Sequence, residues 1–519
     1  MKIRHVLLND TNMPVLQARL MKSGAGIKGQ QANTCAEFSS SIIGRRVVMS
    51  LTKTLSEKLF ISACAMTHTT NFAAYYKGAA FFLPALFVLR YANMGGLDAA
   101  VFAEQLAKAR SFRDKQWCSY WDSFAVDYLS TAESIVQDMT SSLPSSDQKR
   151  TEMAIHKIRD MLDQSSQNLS EDAWLGDKAP IAVLGELIAP AVSLFADYGA
   201  QPSIHAIESI VKQNASALPV DVVVRAASLI DALVKAITYY QVGAFPGHTP
   251  ARTQAYWRSR RLFDVLIDAF APALDVTIER VSIPVDGDIV QGYQILPVGA
   301  GPHPMVLVTN GLEGTTQELI IPMLKYRKNG VGIFFMEMPG SYVYKQPMSA
   351  QSETIYHRVI DYLVAHPKIK SDRIGMMGVS FGGYWATRMA ITDTRLRGVV
   401  ACGAPAHHTF GPASSLGMPE VIVQALRSVT GSKSLISLTK NLHNFSLLGQ
   451  YQKIQMPMLV INGDNDTLVS KQDSVDIAEG ATQATLKLYP NDDHCAMGHY
   501  NEWLDESQRW LEIQLGAKE

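Results

Sequence analysis

RIGMMGVSFGGYWATRMAITD, residues 373–393, decides how this chain is read. An apolar run of strand type turns through GVSFGG and continues as a helix-like stretch. Gly-x-Ser-x-Gly between a strand and a helix is the setting of a nucleophilic serine, because the sharp turn strains the serine backbone and holds its hydroxyl clear of the sheet. A Cβ on either flank would clash with the strand or the helix, and Gly378 and Gly382 remove both. The helix start also directs N–H groups and a partial positive charge towards a developing oxyanion. An ordinary serine in a glycine-rich turn would need neither the strand nor the helix.

Outward from Ser380 the chain alternates strands and helices. Strand-type runs fall at 277–284, 289–296, 304–309, 331–336, 373–378, 398–403, 457–462 and 484–489. The first two flank Asp286-Gly287-Asp288, a hairpin signal. The later ones are continuous apolar runs, as expected for strands covered on both faces. Helical stretches such as SETIYHRVIDYLVAH separate most of them. The pattern predicts an α/β fold: a doubly wound, mostly parallel eight-stranded sheet whose first strands are antiparallel, with its ligand site beyond the carboxyl ends of the parallel strands.

A nucleophilic serine needs a base, and the base needs an orienting acid. In such sheets the chain order is serine, acid, histidine. NGDNDTLVS follows the strand at 457–462, and its Gly-x-x-Asp-x-Leu form puts the acid at Asp466, leaving Asp464 to shape the loop. NDDHC follows the last strand and offers His494 as the base. Asp492 and Asp493 compete as acids but lie too near His494 in sequence to face its Nδ1 with ease. His499 reads as a surface or supporting residue. The oxyanion hole calls for two backbone N–H groups: that of Phe381, directly after the serine, and that of Leu312 in NGLEGTTQEL, where Gly311 permits close approach. Glu313 beside that site has two readings: it turns outward or caps a helix near Thr315, or it contacts the substrate, in its protonated form if need be.

GLEGT, GVSFGG, NGDNDTLV and NDDHC, in this order, resemble the α/β-hydrolases that include 2,6-dihydroxypseudooxynicotine hydrolase and the fungal heptaketide-shortening hydrolases, with the fermentation-respiration switch proteins as more distant relatives. The resemblance covers about 275–515 and extends more weakly to 116–129 and 236–263. It implies a Ser/Asp/His triad on Ser380, Asp466 and His494. It also implies a glutamate after Gly-Leu, here Glu313, which in the nicotine-degrading relative assists carbon–carbon bond cleavage. It suggests helices packed over the active site and raises a homodimer. Residues 1–75 look like an extension and about 140–225 like an insertion. EMPGSYVY (337–344) lacks the second glycine of the usual turn.

The remainder of the chain sets limits. The 519 residues divide into a helical N-terminal cap region, 1–274, and a catalytic domain, 275–519, with a lid segment at about 404–452 that is too long for a plain crossover. Helices are expected over 97–112, 222–240 and 254–274, and a polar linker over 141–150. His407 and His408 open the lid, where they either line the pocket or, the preferred reading, cap a helix or meet solvent; His68 stands alone and is expected to be structural. With 47 Lys plus Arg against 48 Asp plus Glu, nothing favours nucleic acid or an anionic membrane as partner. GAAFFLPALFVL (78–89) is too short to span a bilayer and reads as a buried helix. The first residues lack a secretory apolar run, and five cysteines without a framework fit reduced thiols in the cytoplasm. No phosphate loop, metal cluster or dinucleotide fingerprint is seen, so no cofactor is expected. The expected activity is a serine hydrolase acting on a small-molecule carbonyl substrate, with carbon–carbon hydrolysis of a ketone or polyketide-like compound first. Esterase, thioesterase or acyltransferase chemistry is the alternative, and a non-catalytic scaffold comes last.

Overall fold

The computed structural model describes residues 53–141, 143–167, 178–197, 204–213, 218–411 and 416–517. The N-terminal segment read for a leader, Cys35 and part of the inserted region lie outside them.

The N-terminal half is helical: α1 Leu55–Thr67, α2 Leu86–Gly95, α3 Ala99–Lys108, α4 Asp114–Thr140, α5 Ser145–Gln167, α6 Ala179–Ala196, α7 Val220–Ala244 and α8 Pro250–Phe270. Local chemistry revises three expectations here. The apolar run 78–89 is not one helix, because Pro84 cannot continue an i to i−4 ladder; a 3₁₀ turn, Ala79–Phe82, precedes it and α2 follows. The helix foreseen over 97–112 stops at Lys108, where Ala109 is extended and its carbonyl accepts from Ala79 N–H at 2.8 Å. The polar linker foreseen over 141–150 ends at Pro144. Its serines and aspartate fill the first turn of α5, where such residues are favoured.

Helix α7 is the axis of this half: from Ala236 to Ala244 every residue is buried. It packs on α4, α6 and α8. Helix α6 is the one described helix long and apolar enough to cross a membrane, by length and composition, with a mean hydropathy of 1.8. In this fold ten of its residues are buried, against α5, α7 and α8.

The expected strands are all present: β1 Val276–Val285, β2 Asp288–Pro297, β3 His303–Thr309, β4 Gly332–Met336, β5 Ile369–Val379, β6 Leu396–Cys402, β7 Met458–Gly463 and β8 Ala484–Tyr489. They form one sheet in the order β1-β2-β4-β3-β5-β6-β7-β8. β2 runs antiparallel to β1 and β4, and every other pairing is parallel. β5 lies between β3 and β6, with Thr309 opposite Gly378 and Val379 opposite Cys402. The loops after β3, β5, β7 and β8 therefore meet at one edge. Helices α9 Glu353–Ala365 and α10 Phe381–Thr392 cover the sheet, and the described residues of 404–452 include α11 Glu420–Thr430 and α12 Leu435–His443 with short 3₁₀ turns.

The two halves share a core. One apolar cluster joins Ile188, Ile230 and Leu266 of the helices to Val306, Val379 and Ile461 of the sheet. The glycine missing from EMPGSYVY is replaced by aromatic packing. Tyr342 stacks on Tyr256 of α8 at 4.1 Å between ring centroids, and Tyr256 donates to the buried Glu337 at 3.0 Å.

Candidate active site

Ser380 sits between β5 and α10 with φ 57° and ψ −123°, a region that side-chain-bearing residues seldom occupy. Its N–H donates to Cys402 O at 2.7 Å. The turn closes only on glycine: a Cβ on Gly378 would overlap the Gly382 carbonyl, and one on Gly382 would overlap Thr309 O.

His494 Nε2 lies 2.8 Å from Ser380 Oγ, and its Nδ1 lies 2.8 Å from Asp466 Oδ2. Asp466 is acceptor-only when ionised, so Nδ1 carries the proton and Nε2 accepts from the serine hydroxyl. The other Asp466 oxygen accepts from Leu468 N and Val469 N, both at 2.8 Å, and Asn462 Nδ2 donates to Oδ2 at 2.8 Å. With its acceptor sites filled, the carboxylate is fixed in place. Asn462 also accepts from Cys495 N at 3.0 Å, tying the acid loop to the histidine loop. After His494, Cys495 and Ala496 both take left-handed backbone at φ 57° and 48°. His494 is 4% exposed. Burial lowers its pKa, but the Asp466 carboxylate raises it and prevails, leaving the imidazole well above its ordinary 6.5.

The competing acids serve the loops. Asp493 accepts from Thr467 N at 2.7 Å and His494 N at 2.8 Å. Asp492 accepts from His499 Nδ1 at 2.7 Å and Gly498 N at 3.1 Å, and Asp464 accepts from Asn491 N at 2.7 Å. His407 bonds Ser446 and His408 bonds Asp476. His68 joins α1 to the lid through Glu420 at 2.8 Å.

Phe381 is the first residue of α10, so its N–H has no intrahelical acceptor. Leu312 lies in a turn closed by Gly314 N–H to Gly311 O at 3.0 Å, and a Cβ on Gly311 would sit 2.5 Å from Ser380 Cβ. The turn that carries Leu312 thus packs directly against the serine, on which Phe381 follows in sequence. Glu313, at φ 51°, departs from the first of its two readings: it caps no helix, the next one starting at Gln317, and it is buried rather than turned outward. Its carboxylate accepts from Gly247 N–H, in the loop between α7 and α8, at 2.7 and 2.8 Å. Burial pushes its carboxyl up to about 7, against the pull of that N–H and of Arg252 and Arg90.

A cavity of about 140 Å³ opens beside Ser380 and His494, with Leu312 and Phe381 in its wall. The segment 404–452 contributes Phe410, Ile422, Leu426 and Leu442, and the run 84–94 supplies further wall. Sequence reasoning missed Asn462, Glu318, Arg90 and Asn93. Arg90 Nη2 donates to Glu318 at 2.7 Å and to Glu313 O at 3.3 Å, and Asn93 donates to Met497 O at 2.7 Å. Helix α2 is thereby fastened to both the Leu312 turn and the His494 loop. The signal was a charged residue ending an apolar run, and only the fold reveals what it meets.

A profile described as Esterase FrsA-like matches residues 212–516, more than half of the chain. The chain belongs to the FrsA-like esterase family. Within this FrsA-like chain, Ser380, Asp466, His494 and the Leu312 turn all fall inside the matched region, whereas α2 falls outside it. The chain is 24% identical over 248 residues to esterase FrsA of Vibrio vulnificus, covering 46% of this chain and 59% of that protein. It is 26% identical over 229 residues to the 2,6-dihydropseudooxynicotine hydrolase of Paenarthrobacter nicotinovorans, covering 43% and 61%. The chain thus spans about three-fifths of the length of the curated relatives it matches. Among solved structures, AbyA5 is similar at a TM-score of 0.50 and 19% identity, covering 70% of this chain and 95% of that one, a likeness of fold.

Proposed function

We propose that this FrsA-like protein is a serine hydrolase that cleaves carboxylic esters or thioesters through an acyl-enzyme. The observation that carries the reading is the continuous hydrogen-bonded path Ser380–His494–Asp466, 2.8 Å at each step. His494 Nε2 takes the hydroxyl proton as Ser380 Oγ attacks the carbonyl carbon, while Asp466 holds the Nδ1–H tautomer and stabilises the imidazolium. The N–H groups of Phe381 and Leu312 donate to the oxyanion, each such donor contributing roughly 3 kcal/mol. Collapse expels the leaving group with the proton from His494. Water, activated by the same imidazole, then releases the acid.

Carbon–carbon hydrolysis, first on sequence grounds, needs an acid for a carbon leaving group. The Glu313 carboxylate meant to serve it bonds Gly247 instead, so we place ester cleavage first. Incubation with a p-nitrophenyl alkanoate and with a β-diketone, followed by product analysis, tests both steps. The ester should turn over, and Ser380→Ala should lose at least about 10³-fold of the rate. Cleavage of the diketone alone would reverse the order of substrates. Turnover undiminished in Ser380→Ala would refute the mechanism.

A further inference from the structure

We infer that the acyl side of the site takes an uncharged hydrocarbon group of no more than about six carbons and reads it by burial alone. The inference rests on the hydrolase reading and adds a substrate class to it.

The wall of the cavity is built from two sides. Leu86, Phe87 and Met94 of α2 face Ile422, Leu426 and Leu442 of the lid across the space beside Ser380. Other polar side chains in that wall already have partners within the protein. Asn310 donates to the Thr315 carbonyl. Thr409 donates to Asp473 at 2.5 Å and accepts from Ser470 N at 2.9 Å. Cys495 donates to Cys402 O at 3.7 Å. Arg90 is paired with Glu318, which is 4% exposed, so the wall presents a neutral ion pair. A ligand carboxylate would meet Glu318 as well as Arg90 and lose its water without a net positive charge to offset the loss. The groups aimed at a ligand are therefore those around the reacting carbonyl. A dry apolar cavity of about 150 Å³ accepts a six-carbon ring; the space here is about 140 Å³ with the room beside Ser380 and His494 included, which caps the hydrocarbon group at about six carbons.

The assignment also explains why α2 is fastened at both ends of the site. Arg90 to Glu313 O and Asn93 to Met497 O tie α2 to the turn after β3 and to the loop after β8, so the apolar wall that α2 supplies is anchored beside the serine and the histidine.

The test is binding of n-alkyl methyl ketones, 2-butanone to 2-decanone, to full-length Ser380→Ala protein by calorimetry. Alongside it, wild-type protein is labelled with a fluorophosphonate. Affinity should rise about fourfold per added methylene and level off near six carbons, and 7-oxooctanoate should bind at least a hundredfold more weakly than 2-octanone. Adding Leu426→Trp, or Ile422→Trp should the first fail to fold, should bring the plateau to shorter chains. A flat series, equal binding of the keto acid, or a plateau unmoved by a folded filling variant overturns the inference. Labelled Ser380 with a flat series sinks the acyl-pocket assignment and leaves the hydrolase reading standing. A rising series without a label sinks the hydrolase reading and leaves the pocket assignment.

Discussion

Ser380 and Glu313 both hold left-handed backbone, conformations that cost of order 1–3 kcal/mol each and persist only where the surroundings enforce them. Two consequences are measurable at single residues. His494 must be neutral to accept the serine proton, and Asp466 raises its pKa above 6.5. The kcat/KM profile should therefore rise with pH through an inflection above 6.5; a profile falling across that range would remove His494 as the base. Glu313 titrates at about 7 when folded against 4.5 as a free carboxyl. Because the folded value is the higher, its contribution to stability is complete below pH 4.5 and is lost as pH rises through 7, by roughly 3 kcal/mol. Glu313→Gln keeps an oxygen for Gly247 N–H and cannot ionise. Denaturant melts should show the variant gaining on the parent from pH 5 to pH 8, and parallel curves would contradict the burial argument. Ser380, Asp466 and His494 were legible because spacing and turn chemistry are local. The orientation of Glu313 was not, because Gly247 lies 66 residues away.

The elements show where local rules suffice. All eight strands were readable, since buried strands are short apolar runs bounded by turn residues. Pro84 and Pro144 moved helix boundaries that periodicity had blurred. What α2 does was not readable. Its Arg90 pairs with a glutamate more than two hundred residues distant, and such a meeting is a product of tertiary packing. Arg90→Met leaves Glu318 buried without a partner and should destabilise the protein by about 3–5 kcal/mol. Replacing both by methionine should recover most of that loss. Chemical denaturation of the two single variants and the double variant forms the cycle, and additive losses would show that the pair is not coupled.

For the whole molecule, a boundary near 275 marks a change of pattern in the sequence, from helix-only to alternating strands. The shared apolar cluster argues that this is not a boundary of stability, because Ile230 and Leu266 pack in one core with Val306 and Ile461. Residues 275–519 expressed alone should aggregate or melt without a cooperative transition, and in the full chain near-ultraviolet and far-ultraviolet signals should be lost together. An excised half that folds and melts cooperatively would restore the two-domain description. The shared core was hidden from sequence reading because α6 and α7 look much the same whether they pack on each other or on a sheet.

All of this depends on Ser380 being made nucleophilic by His494. The most direct measurement is peptide mapping by mass spectrometry after exposure to a fluorophosphonate, on the wild-type chain and on His494→Ala. The account predicts an adduct on the peptide carrying Ser380, with labelling slowed at least about 10³-fold in the variant. An adduct on another residue, or labelling of Ser380 at an unchanged rate without His494, would contradict it.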